Sequence, residues 1–165
     1  MKIPLKRRLE CKTDYKRRLK LLKSEKPRLV IRKTNKYIIV QVVKSIESKD
    51  FTIIYVNSKE LSKFNWNYGF KNLPAAYLTG YLVAKKALKE NIREVVVDIG
   101  LQRSTKGSRI YAAVKGAIDG GLKINCSEKM FDESRFKGEH LKIKFKDIDK
   151  KVDEIKEEIN QRMKI

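Results

Sequence analysis

Histidine and tryptophan each occur once in this chain, cysteine twice and proline three times. His140 supplies a single imidazole, and Cys11 and Cys126 stand far apart with no Cys-x-x-Cys pair, so the usual ligand set of a zinc site is missing. No structural disulfide is expected of a chain in a reducing compartment. No run of about 18 apolar residues is present, which excludes a transmembrane helix. The opening stretch MKIPLKRRLECKTDYKRRLK is basic and lacks the apolar core, roughly 7 to 15 residues, of a secretory signal. A protein that stays in the cytoplasm is the expectation. The Gly-x-x-x-x-Gly-Lys-Ser/Thr order is absent as well, so nucleotide hydrolysis on a phosphate-binding loop has no support.

Acid is scarce beside base. Twenty Asp and Glu face forty Lys and Arg in 165 residues, a formal charge of +20, far beyond what keeps a small domain soluble. Such a charge repels itself unless something negative neutralises it. Nucleic acid fits best, because Lys and Arg that displace condensed counterions from phosphates gain affinity in any sequence context. A membrane surface fits less well, since the most basic segment lacks the broad apolar face of an interfacial helix. The charge is also polarised: residues 1–33 hold fourteen Lys or Arg against Glu10, Asp14 and Glu25. In that stretch Thr13 or Asp14 can cap a short helix with Tyr15, Leu19 and Leu22 as a narrow apolar seam. Lys16, Arg17, Arg18, Lys20 and Lys23 cover the rest of it, and so few balancing acids favour phosphate contact over a merely solvated face.

With 41% apolar residues the chain can bury one core. PRLVIRKTNKYIIVQVV reads as a β-hairpin turning near Asn35, a residue that tolerates turn conformations. FTIIYV, residues 51–56, adds a third strand after the polar connection SIESKD, which gives an antiparallel meander. Pro74 suits the first turn of a helix reaching about Glu90, with Tyr77, Tyr81, Ala84 and Leu88 on one face and small Ala75, Ala76 and Gly80 permitting close packing. EVVVDIG is a continuous apolar run of the kind covered on both faces. LQRSTKGS then leads into a second helix with Ile110, Val114, Ala117 and Ile118 as its stripe and Gly120 and Gly121 as its stop. Residues 126–146 show no clear period and read as irregular surface structure. The tail places Ile148, Val152, Ile155 and Ile159 at helical spacing, and from Glu139 onward eight basic residues meet seven acidic ones, so it is not the main phosphate-binding face. The implied organisation is a basic extension over 1–27, an α/β core over 28–125, the irregular segment and a C-terminal helix over 147–165.

The strongest local candidate for phosphate recognition is the loop Arg103-Ser104-Thr105-Lys106-Gly107-Ser108-Arg109. A helix start, a close-approach glycine and two hydroxyls favour anions, Arg and Lys add charge, and Ser108 is placed to cap the helix. Catalysis needs convergent groups. Asp98 lies near the end of an apolar run without acidic partners in the neighbouring strands and reads as structural or RNA-orienting. Tyr15, Tyr37, Phe64, Trp66 and Tyr68 can stack on bases, but aromatics among strands and loops more often pack the core. Of the strand and loop aromatics only Tyr37, beside Asn35 and Lys36 in the turn, is retained as a candidate.

KTDYKRRLKLLKSEKPRLVIRKTNKYIIVQ resembles the large-subunit ribosomal protein of family eighteen in its archaeal form, whose eukaryotic counterpart is family five. NLPAAYLTG, VVVDIGLQRSTKGSRIYAAVKGAIDGGL and KGEH follow in the family's order, covering most of residues 6–140. The resemblance implies a three-layer α/β domain with a mixed sheet flanked by helices, similar to the ribonuclease-H-like arrangement of translational components but without a nuclease site. It implies binding to 5S ribosomal RNA in the central protuberance, beside large-subunit rRNA and neighbouring large-subunit proteins, with no cofactor, membrane or small-molecule substrate. The family's basic segment corresponds to Arg7, Arg8, Lys12, Tyr15, Arg17 and Arg18, joined by Lys6 and Lys23 of the same extension. Its hairpin motif corresponds to Arg32, Lys33, Asn35 and Lys36, and its loop motif to Arg103, Thr105, Lys106, Ser108 and Arg109. Thr34 and Tyr37 stand where many relatives have Ser and His. The rival readings are an RNA-processing nuclease on the same fold and a protein-interaction module using the aromatic loop and C-terminal helix.

Overall fold

The structure, a computed structural model, describes residues 5–47, 49–136, 138–141, 145 and 147–163. Residues 1–4 of the basic extension, Ser48 of the SIESKD connection, Lys137 of KGEH, residues 142–144 and 146 of the segment read as irregular, and the last two residues of the tail lie outside that description.

Three antiparallel strands form the expected meander. β1 (Arg28–Lys33) pairs with β2 (Ile38–Ile46), which pairs with β3 (Lys49–Asn57). A fourth strand, β4 (Val96–Asp98), lies parallel to β1 and completes a mixed sheet of order β3-β2-β1-β4. The SIESKD stretch is mostly strand, because Ser45 pairs with Asp50 and Ile46 with Lys49, leaving a tight turn with Glu47 at φ 48°. The β1–β2 turn is closed by Thr34, whose N–H and hydroxyl both donate to the Tyr37 carbonyl and whose hydroxyl accepts from Tyr37 N–H. Asn35 is not among the residues with positive φ. EVVVDIG departs further from expectation. β4 is a three-residue edge strand in which Val96 and Val97 are only half-buried, so it is not covered on both faces.

Leu29, Ile31, Val40, Val42, Ile54 and Val56 point to one face of the sheet and are buried there under two helices. α3 (Leu73–Lys89) starts where expected: Asn72 Oδ1 accepts from Ala75 N–H at 2.8 Å, and Pro74 occupies the first turn. α4 (Arg109–Asp119) ends at Gly120, with Gly121 beyond it at φ 108°, a conformation that favours glycine. The two helices touch backbone to backbone. A Cβ at Gly80 would lie 2.0 Å from the Ala113 carbonyl oxygen, and one at Gly116 would lie 2.0 Å from that of Tyr77. Outside α3 lies α6 (Ile148–Arg162), which buries Ile148, Val152, Ile155 and Ile159. The segment read as irregular contains short helical turns, among them α5 (Glu133–Phe136), whose Phe136 is buried and stacks on Tyr77 with ring centroids 6.4 Å apart.

The opposite face carries the basic segment. α1 (Lys6–Leu9) precedes α2 (Tyr15–Leu22), whose N-cap is Asp14: its carboxylate accepts from the N–H groups of Lys16 and Arg17 at 3.0 and 3.1 Å. The expected seam is rotated, because Leu19 is exposed to solvent while Tyr15, Arg18, Leu21 and Leu22 face the sheet. An ion pair accompanies this orientation, Arg18 reaching Asp50 on β3 at 2.8 Å. The layers therefore run α2, sheet, α3 with α4, and then α6.

Candidate nucleic-acid interface

β1 and β4 are parallel neighbours, so the segments leaving their carboxyl ends emerge at the same end of the sheet, the end where crevices form in α/β folds. From β1 comes the turn at Thr34–Tyr37, and from β4 comes the loop that runs through Arg103 and Lys106 into α4. Two separated basic motifs are thereby brought together. Arg32 and Lys33, successive residues on β1, point to opposite faces and line two different cavities.

The larger cavity, about 1040 Å³, lies between α2 and the open face of the sheet. Arg7, Lys12, Tyr15, Arg17 and Arg18 border it on one side, with Arg28, Arg32 and the backbone after β4 on the other. Much of this charge is engaged internally. Arg28, whose side chain is 4% exposed, donates to Asp98 at 2.9 Å and to Asp50 at 2.8 Å. Arg32 donates to the Asp98 carboxylate at 3.1 Å and to its carbonyl at 2.7 Å, and Gly100 N–H adds a third bond to that carboxylate. Burial works to raise the Asp98 carboxyl, but the charge of Arg32, the Gly100 N–H and Arg28 outweigh it and hold the group below its usual range. Asp50 is likewise held below the usual carboxylate range, burial losing to hydrogen bonds from Arg18, Ser45 and Arg28. Asp98 is thus enclosed by two guanidinium groups, a setting that repels a divalent cation. Arg17 donates to the Gly100 carbonyl at 3.1 Å, which ties α2 to the loop after β4.

The second cavity, about 580 Å³, opens on the other face beside the start of α4. Lys33, Arg103, Thr105, Ser108 and Arg109 line it, as expected of the loop motif, together with Lys71, Arg135 and His140. Ser108 departs from its expected role. Its backbone occupies the N-cap position, but its hydroxyl accepts no cap bond and is enclosed without a hydrogen-bond partner among the described residues. Arg109 is half-buried and donates to the Lys71 carbonyl at 3.3 Å. His140 is held below its ordinary value by burial and by the charge of Arg135.

Lys6, Arg8, Lys23, Asn35, Lys36 and Lys106 border neither cavity and project into solvent. Tyr37 is half-buried in the turn, its ring 6.1 Å from that of Phe70. Among the other aromatics, Phe64 and Trp66 are buried in the core, and Tyr68 sits edge-on between Trp66 and Phe145. The opposite end of the sheet differs in charge: Lys26 and Lys123 close on Glu94 at 2.6 and 2.8 Å and hold it at about 2. Among the described residues Lys33, Lys36, Arg103 and Lys106 form no ion pair, so free positive charge collects at the carboxyl end. Lys71 and Arg135 do not stand out in the sequence as binding residues. Arg135 lies two residues before the KGEH match, which marks its neighbourhood, whereas nothing local marks Lys71.

The family described as "Ribosomal large subunit proteins 60S L5, and 50S L18" matches over residues 1–95 and 89–127. Archaeal proteins named large ribosomal subunit protein uL18 are similar along most of their length. The one from Korarchaeum cryptofilum is 54% identical over 85% of this chain and 72% of its own, and the one from Methanoregula boonei is 45% identical over 93% and 90%. The protein from Halobacterium salinarum is 45% identical over 85% of this chain and 77% of its own. The matched stretches contain β1, its turn, β4 and the loop into α4, the elements that gather the basic side chains, and the chain therefore belongs to that family of large-subunit ribosomal proteins.

Proposed function

We propose that the chain is a non-enzymatic RNA scaffold that holds 5S ribosomal RNA in the central protuberance of the large subunit, in the cytoplasm. Large-subunit rRNA and neighbouring large-subunit proteins are its further partners, with no cofactor and no small-molecule substrate. One observation carries the reading: three basic segments far apart in sequence converge at the carboxyl end of β1 and β4, where Lys33, Lys36, Arg103 and Lys106 form no ion pair among the described residues. A folded RNA presents phosphates in a fixed three-dimensional array, and a protein that offers cations from separate segments in a fixed array reads that shape. A nuclease on this fold needs carboxylates free to hold metal, whereas both Asp98 oxygens are engaged by arginines. Hydroxyl-radical footprinting of 5S rRNA tests the reading. The chain should protect a compact set of riboses at physiological salt, and uniform weak protection equal to that on tRNA would contradict it.

A further inference from the structure

The second cavity joins parts of the chain that the sequence does not connect: the end of β1, the residues before α3, the loop before α4 and the segment around α5. Lys33, Lys71, Arg103, Arg109 and Arg135 line it, five cationic side chains from four separate segments, with no carboxylate among the lining residues. Asp132 stands close by, near enough to meet a Cβ at Gly107, and accepts from the Ser134 hydroxyl at 3.0 Å; it offsets part of this charge. The Ser108 hydroxyl is enclosed and accepts no cap bond, so the first-turn N–H groups of α4 gain no acceptor from it. Gly107, at φ 64°, sits on the wall of the cavity where its N–H donates to the Met130 carbonyl, pinning the loop to the segment before α5. Concentrated cations and uncapped backbone N–H groups in one concavity are the chemistry of a phosphate receptor.

We infer that this cavity takes a phosphate group of the RNA backbone, and that Lys71 and Arg135 are RNA-binding residues alongside those of the loop. The inference rests on the proposed RNA-binding function and adds a location to it. Arg135, His140 and Leu141 form one wall of the receptor, beside Phe136 in the core, and the phosphate inserts between that wall and the loop instead of resting on an open surface.

The test pairs the wild-type chain with the double variant Lys71→Ala/Arg135→Ala, measuring affinity for 5S rRNA, tRNA and duplex RNA across a salt series. The variant should bind 5S rRNA at least about tenfold more weakly at low salt. Its slope of log affinity against log salt should fall by about one unit, the value for the single phosphate that the protein no longer neutralises. If the wild-type chain prefers 5S rRNA and the variant keeps both affinity and slope, the receptor is wrong while the proposed function stands. If the wild-type chain shows no preference, the proposed function falls and the receptor falls with it. Should the variant lose its thermal transition, the wild-type chain titrated with inorganic phosphate decides. Amide shifts confined to residues 33, 71–73, 103–110, 135, 140 and 141 support the site, and shifts elsewhere or none at millimolar phosphate overturn it.

Discussion

Arg28 shows how one side chain can belong to a basic protein's architecture and not to its binding face. It is 3% exposed, and its charge is compensated by Asp98 and Asp50. Removing one partner from a buried pair leaves an uncompensated charge. Asp98→Ala should therefore destabilise the fold by about 3 kcal/mol, toward the low end for buried pairs because Asp50 remains. Urea unfolding measures this, and a variant as stable as the wild type would show that the network carries no stability. Lys106 and Arg109 belong to the other class. Lys106 is exposed and Arg109 donates to one backbone carbonyl, and neither belongs to the buried stripe of α4. Replacing both by Ala should leave the melting temperature nearly unchanged, weaken RNA binding and lower the salt slope by up to about two units. An unaltered slope would reduce that loop to a connection. At this scale sequence is a partial guide. Residue type and loop position point to Arg103 and Lys106, whereas the free hydroxyl of Ser108 and the turn of Arg18 toward Asp50 depend on tertiary neighbours that no local pattern encodes.

The elements fall into two groups, those that make the core and those laid upon it. Among the described residues the buried apolar core lies entirely at Leu29 or beyond, and neither α1 nor α2 buries a residue. Deleting residues 1–23 should leave a cooperative thermal transition with native circular dichroism and weaken RNA binding strongly. Affinity unchanged at physiological salt would remove the extension from the interface. The α3–α4 contact behaves oppositely. Gly116→Ala would place a methyl group 2.0 Å from the Tyr77 carbonyl oxygen, and backbone cannot yield as a flexible side chain can. A loss of about 2–3 kcal/mol is expected despite alanine's better helix propensity, and equal stability would mean that the helices separate freely. The helices and the meander are legible in sequence because their periodicity is dictated by burial on one face. β4 is not, because a short apolar edge strand and a covered central strand look alike in sequence. The α5 region escapes a sequence reading because its order comes from Phe136 packing on Tyr77, a contact between residues 59 positions apart.

Across the whole molecule, charge is arranged by topology. The parallel pairing of β1 and β4 brings a hairpin turn and a helix-leading loop to one end, α2 lies across the adjoining face, and at the other end Glu94 offsets part of the charge of Lys26 and Lys123. Family membership fixes the large ribosomal subunit as the setting of the chain's relatives, and the geometry explains how such a chain can recognise a folded RNA by the positions of its phosphates. Electrostatic attraction alone would bind any RNA and fade with salt, whereas a fixed array of cations keeps its preference as the non-specific component is screened. The decisive measurement is the affinity of the intact chain for 5S rRNA, tRNA and duplex RNA at several salt concentrations. The account predicts that all three affinities fall with salt while the preference for 5S rRNA persists at physiological ionic strength. Three affinities that converge as salt rises would contradict it.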